Sequence, residues 1–205
     1  MKKEIRDKFK TYRGEKTLRG TETEKNLLKA FAGESQAYQR YVIFAEQARV
    51  EGYEQIAAIF EETAHNEHLH AQTFFSFLEG DMVEITASYP AGAVKNTYEN
   101  LLDAAKGEHE EFVELYPMFA EIAKNEGFPK IANQFRLIAK IEEEHEKRYL
   151  KLADNVKRAM VFKKDEQVVW VCRECGHIHI GEKAPGLCPT CLVDQAFFEI
   201  KASNY

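Results

Sequence analysis

The chain has 205 residues, 44% of them hydrophobic and 30% charged, with a formal net charge of −6. That is long enough for one domain of ordinary size plus a small module, and it is the balance of a soluble globular protein. An acidic chain without clustered Lys and Arg excludes a dedicated nucleic-acid binder, and no run of about 18 apolar residues is present to span a membrane.

Residues 1–16 form an extension with no assignment. The first twenty residues carry eight Lys/Arg and three acids but no apolar stretch, which is not the pattern of a secretory signal. All four cysteines lie in the last quarter of the chain, so none remains to staple the larger part. A metal site in a reducing compartment, with the cytoplasm as default location, fits them better than a secreted disulfide scaffold.

The sequence predicts four amphipathic helices within a domain spanning 17–160. The first opens on a capping box, Thr21 with Glu24, and its buried stripe reads Leu27, Phe31, Glu34, Tyr38, Tyr41, Ala45, Ala48. The second reads Ile56, Phe60, Thr63, Glu67, His70, Phe74, Phe77, after a short turn at Gly52. A longer polar stretch from Gly80 to Gly92 precedes the third: Val94, Tyr98, Leu101, Ala105, Glu108, Phe112, Leu115, Phe119, Ile122, with a kink expected at Pro117. The fourth follows a turn at Gly127: Ile131, Phe135, Ile138, Glu142, His145, Tyr149, Leu152, Val156. Steps of three and four place each list on one buried face. Short, long and short connections describe two antiparallel helix pairs joined by a crossover, as in ferritin-like bundles. The halves also repeat. Glu34 precedes Glu67 by 33 residues, Glu108 precedes Glu142 by 34, and Gly33-Glu34 is echoed by Gly107-Glu108.

Four of those stripe positions hold a carboxylate where Leu or Ile is expected. A buried carboxylate needs a compensating cation, and no Lys or Arg shares the layer. Two metal ions supply the charge. Glu-x-x-His sets both side chains on one helical face about a turn apart. One Glu from each of two helices, with Glu-x-x-His from each of the others, is the di-iron or di-manganese carboxylate pattern. Glu34 and Glu108 take the first role; Glu67/His70 and Glu142/His145 take the second. This donor set suits iron or manganese and, less selectively, zinc. His65, His68 and His109 fall off the stripe and read as surface histidines. Glu111, one turn beyond Glu108, is by spacing alone equally a ligand or a solvated helix residue.

Past the helices, 166–205 holds Cys172-x-x-Cys175-Gly176 and Cys188-Pro189-x-Cys191, twelve residues apart and flanked by short strands at 168–171 and 197–200. About forty residues cannot bury enough apolar surface to fold alone, so a tetrahedral four-sulfur metal site is the staple. Zinc is the more frequent occupant of such paired knuckles, and iron in the same ligands carries single electrons.

The segments Ala-Phe-Ala-Gly-Glu34-Ser-Gln-Ala, Glu62-Thr-Ala-His-Asn-Glu67-His-Leu-His70-Ala, Gly107-Glu108-His-Glu-Glu111 and Glu142-Glu-Glu-His145-Glu-Lys-Arg resemble rubrerythrin motifs. The C-terminal cysteines are similar to those of rubredoxin. The resemblance covers residues 17–205. It implies a mainly α protein, a ferritin-like four-helix bundle with a small C-terminal rubredoxin-like β module. It also implies two non-haem irons, oxo-bridged when oxidised, held by Glu34, Glu67, His70, Glu108, Glu111, Glu142 and His145. A third iron, or zinc, sits on Cys172, Cys175, Cys188 and Cys191. In that family the residues matching Glu111 and His70 exchange on one iron with oxidation state, and those matching Tyr41 and Tyr116 hydrogen-bond to ligand carboxylates. The implied activity is reduction of hydrogen peroxide in oxidative-stress defence. Its electrons come through the rubredoxin-type iron from an external NAD(P)H-dependent reductase. The family forms dimers in which one subunit's four-cysteine iron lies near the other subunit's di-iron site. Two rivals stand beside this reading: a ferritin-like iron oxidase or store, and a structural protein with zinc in both sites.

Overall fold

The computed structural model describes residues 16–203, so the N-terminal extension lies outside the described residues except for Lys16. Helix α1 (Glu22–Val50) starts where Thr21 accepts the N–H of Glu24 at 3.1 Å. Glu24 answers by accepting the N–H of Gly20 at 2.8 Å, one residue earlier than the reciprocal bond of a standard capping box. Gly52, at φ 81, makes the left-handed turn into α2 (Glu54–Phe77). The crossover, 78–96, has no regular structure.

The third rod is composite: α3 (Thr97–Glu110), a π-helical turn (Glu111–Leu115) and α4 (Tyr116–Asn125). It begins after Val94, which is 50% exposed rather than part of the predicted stripe. Helix α5 (Pro129–Lys157) closes the bundle, with Pro129 in its first turn, where a missing N–H costs no intrahelical bond. The Glu126 carboxylate, on the turn between α4 and α5, accepts the Glu22 and Thr23 N–H groups at 3.1 and 2.8 Å, tying the second hairpin to the start of the first.

The π-turn accounts for the unequal intervals of the two halves. From Glu34 to Tyr41 is seven residues; from Glu108 to Tyr116 is eight. A π-turn absorbs one inserted residue without rotating what flanks it. The predicted stripe is therefore corrected beyond Phe112: Leu115 faces outward, while Tyr116, Phe119, Ala120 and Ala123 face in. Pro117 lies in the first turn of α4, so the irregularity expected at it precedes it. Tyr38, also assigned inward, is 39% exposed.

The bundle interior is two apolar clusters with a polar layer between them. One contains Phe74, Tyr116, Phe119 and Phe135; the other contains Phe44, Tyr41, Phe60 and Tyr149. The clusters match through the repeat: Phe60 and Phe135 each lie seven residues before a layer glutamate, and Phe44 and Phe119 each lie three after a layer tyrosine.

Strands β1 (Lys163–Cys172), β2 (Ile178–Lys183) and β3 (Phe198–Ile200) form an antiparallel sheet in the order β2-β1-β3. Of these, β2 was not predicted. Trp170 is buried at the sheet's centre, its indole N–H donating to the Gly181 carbonyl at 2.9 Å. This module rests on the α1–α2 turn of its own chain. Phe162 stacks on Tyr53 with ring centroids 6.1 Å apart, and the Ala196 methyl comes within 3.7 Å of where a side chain on Gly52 would begin. No described helix is long and apolar enough to cross a membrane.

Candidate metal centres

On each helix the ligand residues sit at inward positions between the two apolar clusters: Glu34 on α1, between Ala30 and Ala37, and Glu67 and His70 on α2, between Ala64 and Phe74. Glu108, Glu142 and His145 repeat the arrangement, and all six side chains are buried.

Their ligand atoms fall into two sets. Glu34, Glu67, His70 and Glu142 form one, and Glu67, Glu108, Glu142 and His145 the other, with all atoms of each set within 4.8 Å of one another. Glu67 and Glu142 belong to both, and they divide their oxygens. His70 Nδ1 has Glu67 Oε2 at 2.9 Å and Glu142 Oε1 at 3.1 Å. His145 Nδ1 has Glu142 Oε2 at 2.8 Å and Glu67 Oε1 at 3.1 Å. One carboxylate oxygen toward each centre is the arrangement of a bridging ligand. Two donor atoms at right angles, each about 2.1 Å from one ion, are about 3.0 Å apart, which is the separation seen here.

Hydrogen bonding leaves these atoms over. Glu34 Oε2, Glu67 Oε1, Glu108 Oε2, both oxygens of Glu142 and Nδ1 of His145 are buried without a hydrogen-bond partner. Close neighbours at angles that make no hydrogen bond are what donors aimed at a common ion present, so the residues fit a dinuclear metal centre.

Electrostatics give the same answer. Burial, then Glu67, pushes Glu108 up to about 8, and burial with Glu67 pushes Glu34 well above the carboxylate range. Burial also acts to raise Glu67, but the imidazoles of His145 and His70 outweigh it and hold it at about 2. Burial acts to lower His145, yet Glu108, Glu142 and Glu67 drive it up to about 12. So many carboxylates in a dry layer hold whatever positive charge is in reach, and two divalent cations supply more of it than two imidazoles do.

Tyrosines cross-brace the layer. Tyr41, from the first half, donates to Glu108 of the second; Tyr116, from the second, donates to Glu34 of the first. Burial, followed by nearby carboxylates, pushes both phenols well above their ordinary range, so both remain donors. Asn66, not among the residues expected from the sequence, has Oδ1 3.3 Å from His145 Nε2, fixing that ring with Nδ1 inward. Its position beside Glu67 in the register was the available signal.

Glu111 is the one member of the implied ligand set not brought into either cluster. It opens the π-turn, and its Oε1 lies 3.7 Å from where a side chain on Gly33 would begin. Burial, then Glu34, pushes its carboxyl well above the usual range. His65, His68 and His109 lie on the exposed side of their helices, and His109 pairs with Glu146 at 3.0 Å.

The four cysteines converge. Cys172 and Cys191 sulfurs are 3.8 Å apart and those of Cys175 and Cys188 3.7 Å. Tetrahedral ligands about 2.3 Å from one ion are separated by about 3.8 Å, so the sulfurs fit a metal and are too distant for disulfides. Two matched knuckles hold them: Gly176 (φ 77) donates to the Cys172 carbonyl, and Leu192 (φ 65) to that of Cys188. Burial acts to raise the Cys188 thiol, while N–H groups of Cys191 and Thr190 aimed at its sulfur draw it down to about 7.

The family profile described as Rubrerythrin matches residues 25–153, and that described as Rubrerythrin, rubredoxin-like domain matches 170–199. The rubrerythrin of Porphyromonas gingivalis is 56% identical over 93% of this chain and 95% of its own. That of Nitratidesulfovibrio vulgaris is 50% identical over 93% of this chain and all of its own. Among solved structures, fully reduced, all-ferrous nigerythrin is 33% identical with a TM-score of 0.60, covering 91% of this chain and 89% of the other.

Proposed function

Because the chain belongs to the rubrerythrin family, we propose that it reduces hydrogen peroxide to water at a di-iron centre in the bundle, in defence against oxidative stress. The observation that carries this reading is the pair of carboxylates, Glu67 and Glu142, shared between two ligand sets beside a fused four-thiolate site.

Glu34 and His70 would hold one iron and Glu108 and His145 the other, with Glu67 and Glu142 shared between them and Glu111 able to take the place of His70. Irons held there would supply the two electrons for cleaving the O–O bond, and an iron on Cys172, Cys175, Cys188 and Cys191 would return electrons singly. Tyr41 and Tyr116 fix the carboxylates of Glu108 and Glu34 by donating to them, so the ligand cage keeps its shape as charge moves. The apolar clusters on either side keep bulk water from the layer. A fused electron carrier favours peroxide reduction over iron storage, since stored ferrous iron supplies its own electrons.

The electrons come from an external NAD(P)H-dependent rubredoxin reductase, and the protein works in the cytoplasm as a homodimer or higher oligomer. The four-cysteine module packs on α2 of its own chain. In a dimer of the family's kind, the four-cysteine iron of one subunit serves the bundle centre of the other. Mixed dimers of Cys175→Ser and Glu67→Gln subunits should then recover activity; inactive mixed dimers would assign transfer to a single chain.

The direct test is metal analysis with steady-state turnover. The protein should carry three irons and consume peroxide in proportion to NAD(P)H when a rubredoxin reductase is supplied. Full metal content without peroxide consumption would sink the proposal.

A further inference from the structure

The repeat that builds the two metal sets is broken at one notch. Gly33 and Gly107 are counterparts, each preceding a layer glutamate, and neither has a side chain to fill the space above it. At Gly107 that space is bordered by Arg40 Nη2, 3.5 Å from where a side chain would begin. At Gly33 it is bordered by Tyr89 Cε1 at 3.5 Å and Glu111 Oε1 at 3.7 Å. Three residues past Glu108 stands Glu111; three past Glu34 stands the buried methyl of Ala37. A spare carboxylate therefore exists on one side alone, next to Glu34, and the crossover lays an aromatic ring against the same notch.

Tyr89 is placed there by its hydroxyl, which donates to the Lys29 carbonyl of α1 at 2.8 Å. The segment carrying it has no helix or strand to hold it. The ring is 39% exposed, so one side meets solvent while the other meets the notch.

We propose that Tyr89 is a positioning residue, a latch that closes the outer side of the Gly33 notch, keeps Glu111 beside the Glu34–His70 half of the centre and limits approach to that half from solvent. The proposal rests on the bundle layer being the metal centre. Its role is to let Glu111 travel between notch and metal without admitting water or external ligands each time.

The test is the rate at which a strong external chelator removes ferrous iron anaerobically from the full-length, iron-loaded protein. Tyr89→Phe keeps the ring and deletes one neutral hydrogen bond, so extraction of the two bundle irons should quicken about fivefold. Tyr89→Ala should be faster still. The iron on the four cysteines, read by its colour on reoxidation, should leave at the unaltered rate, which separates an opened latch from general loosening. Bundle-iron extraction within about twofold of the parent in Tyr89→Phe, or equal acceleration at both sites, would overturn the proposal. Glu111→Gln distinguishes this from the reading it extends. If that change leaves the Mössbauer spectrum of the oxidised centre unaltered, the ligand role of Glu111 fails, whereas the extraction rates still decide whether Tyr89 guards the notch.

Discussion

Asn66 Oδ1 lies 3.3 Å from Nε2 of His145, and the residue in the corresponding place one half-repeat later is Ile141, which has no polar atom to offer His70. The two imidazoles are thus unequally held although their helices superpose in pattern. A ring tethered at Nε2 keeps its tautomer and direction; a ring without that tether is the one better able to leave a metal. If the proposed exchange of ligands takes place, this difference directs it to His70 rather than to His145.

Replacing Asn66 with Leu should therefore weaken metal binding in the bundle by about 10- to 100-fold, the usual effect of removing a partner that orients a ligand. Competition with a chelator of known affinity measures it. Ile141→Asn should have the opposite tendency and slow the spectral changes that accompany ligand exchange. Unaltered affinity in Asn66→Leu would show that His145 is oriented by packing alone.

The two tyrosines form a reciprocal brace, so their removal should be nearly symmetrical. Tyr41→Phe and Tyr116→Phe each delete one charge-assisted bond, worth about 2 kcal/mol. Each should lower the melting temperature of the loaded protein by about 4–8 °C, and the double variant should lose roughly the sum. A double variant no worse than either single one would mean that only one brace bears load.

Tyr149 gives a pH dependence with a definite sign. It is fully buried without a well-aligned hydrogen-bond partner, and burial followed by the Glu108 charge outweighs the nearby Thr63 hydroxyl and pushes its phenol well above the ordinary value. A group whose folded pKa is raised adds stability that is complete below its unfolded pKa, about 10, and that disappears as pH climbs past it toward the folded value. The loss from this residue should approach about 1.4 kcal/mol per pH unit. Its counterpart in the repeat is Phe74, so Tyr149→Phe should fold normally. At neutral pH it should be at least as stable as the parent, and it should show a shallower alkaline decline. Denaturant midpoints measured from about pH 9 to 11 check the slope.

Much of the site was legible because its chemistry violates the pattern that reveals the fold. Glutamates in an apolar stripe stand out, and a cysteine pair repeated after twelve residues stands out equally. The π-turn was only half visible. Intervals of 33 and 34 residues disclosed an insertion, but periodicity cannot locate one extra residue, and Leu115 was accordingly placed inward. Tyr38 failed for a related reason: an aromatic ring at a stripe's margin can lean out to the surface. The place of Glu111 and the role of Tyr89 depend on contacts across the crossover, a segment with no period to read.

The cysteine module should depend on its metal and the bundle should not. Cys175→Ser should abolish the four-thiolate colour and unfold the sheet around Trp170, visible as a red shift of its fluorescence, since Trp170 is the chain's single tryptophan. Helical circular dichroism should persist, because each bundle cluster is complete without the module. Collapse of the helical signal would show that the contacts at Gly52 and Tyr53 stabilise the bundle more than its own core does.

The most direct test of the account is a single turnover. The fully reduced, iron-loaded protein is mixed anaerobically with stoichiometric peroxide in a stopped-flow spectrometer, and separately with oxygen. Oxidation by peroxide should be clearly the faster, with the red four-thiolate band growing as electrons leave that iron for the bundle. Faster reaction with oxygen, or a four-thiolate band that never responds, would contradict the assignment and favour an iron oxidase or a zinc-stapled module instead.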